Sequence, residues 1–218
     1  MNHQNRFNLI DEKWIPIVGS EKANLFDIFT DTSLRDFGGS PLQKIALQKL
    51  IQAIAQAAWT PENEDEWRKA GASGLSKYCL EYLKKWHDRF YLYGEKPFLQ
   101  MPAIAKAKIQ SFGAVLPEIA TGNTTILTHG QVEQALDDSQ KAVIVVQLMS
   151  LALGGKKVDN SVILSPEYTG KYNEKGNESN GLYGPGISHK GLLHSRIIGS
   201  SLQETVWLNL FDKKQIEK

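Results

Sequence analysis

Apolar residues recur along the chain in two rhythms. Near the start they come in short runs: Phe7-Asn8-Leu9-Ile10, then a polar Asp11-Glu12-Lys13, then Trp14-Ile15-Pro16-Ile17-Val18. Aromatic and β-branched side chains favour the pleated state, so this pattern predicts two short strands around a turn. Pro16 belongs at an edge because it has no N–H to donate. From Asn24 the period lengthens. Asn24–Phe29 predicts a short helix. Ser40 is a helix cap, Pro41 suits the first helical position, and Leu42, Ile45, Leu50, Ile51, Ile54 and Ala58 recur at helical spacing. Thr60-Pro61 restarts the chain into an acidic first turn, Glu62–Glu66, and Leu75, Tyr78, Cys79, Tyr82, Leu83 and Trp86 define another amphipathic helix.

The texture changes at Phe90. Phe90–Tyr93 predicts a strand, Gly94 a turn, Lys96–Gln100 an extended segment and Ala120–Gly130 a loop. Asp137-Asp138-Ser139 supplies a helix cap. Val143–Leu153 is apolar on almost every face, which predicts a helix central to the core, ended by Gly154-Gly155. Residues 154–199 hold 9 of the 18 glycines, and 155–190 predict a flexible loop region. Ser201–Phe211 predicts a final helix with Leu202, Val206 and Leu210 on one side. The expected fold is α+β: small mixed or antiparallel β elements packed with several helices, one long glycine-rich loop region, and a single domain over residues 1–218.

Composition narrows the class. The 218 residues are 41% hydrophobic and 22% charged, enough for a core without disulfides or a structural metal. One cysteine, Cys79, excludes an internal disulfide framework and a thiolate-rich zinc site. The longest apolar run, Ala142–Met149, is interrupted by Gln147, and the first residues are polar. The expectation is therefore a cytoplasmic protein with no membrane partner. Twenty-five basic against 24 acidic residues give a formal charge of +1, so no global field draws nucleic acid. Phosphate binding would need a local basic patch, and the isolated chain is expected to bind DNA weakly and in a salt-sensitive way.

The motifs are sparse. Gly154-Gly155-Lys156-Lys157 follows a helix and has no Ser or Thr after the lysine, so it lacks the requirements of a phosphate-binding loop for nucleotide hydrolysis. It reads as a helix stop, or as backbone able to lie close against a nucleic-acid groove. His189 and His194 are near neighbours without a nearby Cys or acid. A metal-dependent hydrolase would have to recruit a remote carboxylate to them. No Ser or Cys stands in a nucleophile-elbow context. Trp14, Trp59, Trp67, Trp86 and Trp207 are expected to anchor the core. No catalytic residues, no metal and no cofactor are expected.

Two blocks carry a resemblance. Phe7-Asn8-Leu9-Ile10-Asp11-Glu12-Lys13-Trp14-Ile15-Pro16-Ile17 resembles the opening of the large subunit of type I-E CRISPR Cascade complexes, the CasA family. Phe90-Tyr91-Leu92-Tyr93-Gly94-Glu95-Lys96-Pro97-Phe98-Leu99-Gln100 resembles that family's aromatic strand followed by His/Lys-Pro-Phe-hydrophobic-Gln. Ala142–Leu153 with Gly154-Gly155-Lys156, then Gly184-Pro185, then Gly199-Ser200-Ser201-Leu202-Gln203-Glu204-Thr205-Val206-Trp207-Leu208-Asn209-Leu210 follow in family order. Family members run to about twice this length, with a C-terminal four-helix bundle, so the resemblance covers an N-terminal portion.

The resemblance implies a non-enzymatic module of an RNA-guided antiviral DNA surveillance complex. It would contribute to recognising the motif that flanks the target (the PAM) and to docking on the complex. Its partners would be other Cascade subunits, CRISPR RNA, target double-stranded DNA and a helicase-nuclease effector. DNA contact is implied for Gly154, Gly155, Lys156 and Lys157, where glycines let the backbone approach minor-groove base edges and Lys157 adds a phosphate contact. A loop toward the guide RNA and a neighbouring subunit is implied for Thr121, Gly122, Asn123, Thr124, Thr125 and His129. The zinc cysteines of some relatives are replaced at Asp137–Gln140, which implies no zinc. A purely structural docking module, with DNA readout elsewhere, is the other reading.

Overall fold

The first strand finds its partner far along the chain rather than across the nearest turn. In the computed structural model, which describes residues 5–100, 109, 135–151 and 194–217, β1 (Arg6–Asn8) pairs antiparallel with β2 (Tyr91–Tyr93). The register sets Arg6 opposite Tyr93 and Asn8 opposite Tyr91. The expected second strand at Trp14–Val18 does not form as such. Ile15 and Ile17 make single bridges to Ala23 and Phe37, and Pro16 between them contributes only its carbonyl, which accepts from Gly38 at 2.7 Å.

The opening motif owes its residue types to one buried knot. The Asn8 side chain accepts from the Ile10 N–H at 2.9 Å and donates to the His87 carbonyl at 3.0 Å. The Trp14 indole N–H donates to the Leu9 carbonyl at 2.9 Å. Asp11 meets the His87 ring at 2.8 Å, and its carbonyl accepts from Asn24. Each buried polar group here has a partner, which is what burial demands.

Six helices follow among the described residues. α1 (Leu25–Thr30) starts in a reciprocal cap between Asn24 and Asp27. α2 (Pro41–Ala58) starts in one between Ser40 and Gln43, with Pro41 at the first helical position. α3 (Glu64–Lys85) carries three acids in its first turn and two lysines in its last, both favourable for the helix dipole. Gly71 breaks it, at φ 61° and ψ −176°, a backbone conformation that essentially only glycine adopts. α4 (Asp138–Ser150), α5 (Leu202–Leu208) and a short α6 (Lys213–Ile216) complete the set.

The core gathers Leu9, Trp14, Ile15, Leu25, Phe29, Phe37, Leu47, Ile51, Leu75, Leu83, Leu92, Val146 and Val206, all buried. α2 lies at its centre, packed on α3, α4 and α5. Three expectations need correction. α4 is not central: Ala142, Val143, Val146 and Gln147 face α2, but Met149 is 60% exposed. Of the five tryptophans only Trp14 is fully buried. Trp59, Trp67 and Trp207 pack at the core's edge, and Trp86 is 39% exposed. Lys96–Gln100 is a turn, not an extended segment: the Phe98 N–H returns to the Tyr91 carbonyl at 2.8 Å, and Leu99 takes φ 53°. Phe98 stacks on Phe90 at 4.8 Å, and this apolar contact draws the segment back. No described helix is long and apolar enough to cross a membrane.

Candidate nucleic-acid interface

The two segments implied to touch nucleic acid sit on either side of α4 in the chain. Residues 121–129 precede it and residues 154–157 follow it, and both lie outside the described residues, as does the region 155–190. What the structure does show is the helix between them and how it is held.

α4 begins at Asp137, whose side chain accepts from the Gln140 N–H at 2.7 Å while Gln140 reaches back to the Asp137 N–H at 2.9 Å. The stretch Asp137–Gln140 is thus a capping box. Asp138 then collects three partners, two of them from distant parts of the chain. The Tyr93 hydroxyl donates to it at 2.6 Å, Arg6 pairs with it at 2.6 Å and Lys141 at 3.3 Å. The Arg6 guanidinium also lies 3.7 Å over the Tyr93 ring. Lys22 bonds the Ser139 hydroxyl and stands 3.6 Å from Asp137. The first turn of α4 is therefore tied to both strands of the sheet.

The Tyr93 hydroxyl, followed by Arg6 and Lys141, holds the Asp138 carboxyl below the usual carboxylate range. A carboxylate lowered in the folded state adds stability above its unfolded value, near about 3.9, and that stability is lost as pH falls through the lower folded value. Asp138→Asn is expected to cost about 1–2 kcal/mol near pH 7. The cost should shrink as pH drops below about 4. Urea denaturation of both proteins at stepped pH measures this, and a pH-independent difference would show that charge is not involved.

Between this first turn and the start of α2 runs an open groove of about 450 Å³, lined among others by Trp14, Lys22, Gly39, Gln43, Gln140 and Ile144. The far end of α4 is held as well. The Lys49 ammonium on α2 donates to the Ser150 carbonyl at 3.4 Å, one of the last carbonyls of the helix. The chain returns at 194–200, fastened to α2, to the segment before it and to Asn209. Arg196 bonds Asp36 at 2.8 Å and Gln48 at 3.4 Å, Lys44 pairs with Asp36 at 2.9 Å, and Arg35 donates to the Ser200 carbonyl. Asn209 holds both the N–H and the carbonyl of Ile197, at 2.9 and 2.7 Å.

Chemically, these groups are cations and amide donors suited to binding. Cys79 is buried and its thiol pushed up to about 12 by burial. His194 is exposed and His189 lies outside the described residues. No group of three or more His, Cys, Asp or Glu among the described residues could hold a metal ion. The sequence did not point to Arg6, Lys22, Tyr93 or Lys49. Their partners are 132, 117, 45 and 101 residues away, and no local pattern signals such contacts.

Residues 8–217 match the model of the family described as CRISPR-associated protein Cse1. A CRISPR-associated protein CasA/Cse1 of Thermus thermophilus is 32% identical over 148 residues, covering 62% of this chain and 29% of that protein. The fold is similar to Thermobifida fusca Cse1 at a TM-score of 0.70 and 22% identity, over 94% of this chain and 39% of that one. Thermus thermophilus CasA (Cse1) gives 0.63 and 24%, over 95% and 40%. A chain of a CRISPR RNA-guided surveillance complex gives 0.63 and 16%, over 95% and 44%. The chain thus spans well under half the length of the relatives it matches.

Proposed function

The chain belongs to the CRISPR-associated Cse1 family, and from that membership we propose that it serves as a non-catalytic module of an RNA-guided surveillance complex. It docks on the complex and contributes to reading the motif that flanks the target on double-stranded DNA. The observation that carries this reading is the family match over residues 8–217, nearly the whole chain. Guide pairing reads the target sequence in such complexes, so the protein need read only a short duplex element. Residues 154–157 are assigned the minor-groove contact and residues 121–129 the contact with guide RNA and a neighbouring subunit. α4, which lies between the two segments in the chain, is tied at its first turn to the sheet and at its last to α2.

The test uses a type I-E complex assembled without its large subunit. Wild-type chain or Gly155→Asp is added, and binding is compared on target duplexes that carry or lack the flanking motif. The wild type is expected to join and to favour the motif duplex about tenfold or more, within the 1–3 kcal/mol that one base-edge contact supplies. The carboxylate of the variant should abolish that preference, because it meets a groove of negative potential. Joining without any preference would support a second reading, in which the chain only docks. The fraction of each relative that the chain leaves uncovered favours keeping that reading in view. Failure to join would overturn both.

A further inference from the structure

The open groove of about 450 Å³ between the start of α2 and the first turn of α4 combines an apolar wall with fixed hydrogen-bond donors. Its size falls within the roughly 300–1,000 Å³ that ligand sites occupy. Pro16, Leu136 and Ile144 line it and are only half-buried, so apolar surface stays open to a partner. Gln43 and Gln140 also line it, one from each helix. Each commits its Oε1 to a reciprocal cap, accepting from the Ser40 N–H at 3.0 Å and from the Asp137 N–H at 2.9 Å. The cap fixes the side chain, and its Nε2 amide is a donor. Gly39 takes φ 88°, and a Cβ there would come within 2.5 Å of the Gln43 Oε1, so a glycine is what leaves this amide its place in the cap. Lys22 is the single charged residue among the described ones that line the groove. It bonds the Ser139 hydroxyl and stands 3.6 Å from the Asp137 carboxylate, so its charge is balanced.

We propose that this groove binds an extended, uncharged peptide segment of a neighbouring protein subunit. A branched apolar side chain of that segment sits against Pro16, Leu136 and Ile144, while the Gln43 and Gln140 amides donate to its backbone carbonyls. The chemistry selects this partner. An extended segment carries carbonyls that need donors, and its side chains alternate between them, so one strip of backbone can meet both glutamines while a side chain enters the groove. Nucleic acid would need unbalanced cations for its phosphates, and the one cation lining the groove already faces Asp137. Donors held in place by their caps lose little freedom on binding, which suits a short contact. As a docking contact on the complex, this role rests on the proposed function.

The experiment uses a type I-E complex assembled without its large subunit and reads the affinity with which the chain joins it. Gln43→Glu is the central variant. Glutamate closes a capping box with Ser40 as glutamine does, so α2 keeps its cap, but the donor becomes an acceptor that repels a carbonyl. The urea midpoint should stay at the wild-type value while joining weakens about tenfold. Ile144→Ala should weaken joining about fivefold through the lost apolar contact. Both variants, driven into the complex at higher concentration, should keep the wild-type preference for the flanking motif. If the wild type joins and both variants join equally well, this proposal is overturned and the proposed function stands. Failure of the wild type to join overturns the two together. Weaker joining that only follows a lowered urea midpoint shows that the groove serves this chain's own fold. Loss of motif preference at undiminished joining shows that it meets DNA, and weaker binding of Gln43→Glu to guide RNA alone shows that it meets RNA. A wild type that sediments as a dimer beside a monomeric Gln43→Glu shows that a second copy of the chain fills it. Each of these last results also overturns the proposal.

Discussion

Trp14→Ala is expected to lower folding stability by about 3–5 kcal/mol, read from urea denaturation midpoints at constant slope. The indole is fully buried, in the N-terminal region where Ile15 and Ile17 make only single bridges. Its N–H satisfies the Leu9 carbonyl at 2.9 Å, and its backbone N–H bonds Ala23 at 3.0 Å. Truncation would open a cavity beside the groove and leave a buried carbonyl without its donor, two costs that add. Trp86→Ala is the control. That ring is 39% exposed and lies near Tyr82 and Lys85, so its loss should stay within about 1 kcal/mol. Equal losses at the two positions would contradict the burial described for Trp14.

The second large effect belongs to a pair. Trp67 on α3 and Trp207 on α5 stack with centroids 4.3 Å apart and planes 8° from parallel. Each indole N–H donates to the other residue's carbonyl, at 2.9 and 3.1 Å. The arrangement is reciprocal, so removing either ring deprives the other of its stacking partner and leaves that residue's backbone carbonyl without its indole donor. Trp207→Ala is expected to cost about 2–4 kcal/mol. A double-mutant cycle with Trp67→Ala should show a coupling of about 1–2 kcal/mol. Trp207→Phe keeps a ring but loses the N–H, and should fall between the two. Additive single losses would show that the rings act independently.

Legibility in the sequence followed the range of the interaction. Ser40 with Pro41, Asn24, and Asp137 with Gln140 are caps made within four residues, and each helix they begin could be located from the sequence. The α+β class followed from those periods. Features set by distant partners could not be read this way. β1 pairs with β2 and not with the nearer Trp14–Val18 run, because Pro16 breaks the ladder there. Lys96–Gln100 looks extended in isolation, but stacking of Phe98 on Phe90 folds it back. α6 is too short to show a period, yet the Lys213 N–H anchors it to the Pro61 carbonyl at 3.0 Å. The candidate site divides in the same way. Its helix and cap were visible, while the groups that fasten it, Arg6, Tyr93, Lys22 and Lys49, come from elsewhere in the chain. The order of the family's motifs supplied what local chemistry could not, a reading of the chain's role.

The single cysteine has a practical consequence. Cys79 lies on the buried side of α3, and with its thiol pushed up to about 12 almost none of it is thiolate near neutral pH. An exposed thiol, with an ordinary value near 8.5, reacts with maleimides far faster. The natural chain therefore behaves as a cysteine-free background without any change to its sequence. A cysteine placed at Met149, at the exposed end of α4, or at Ile197, on the returning segment, would take a fluorophore selectively. Distances from these two positions to labelled guide RNA or duplex could then be followed by energy transfer, with the core left as it is.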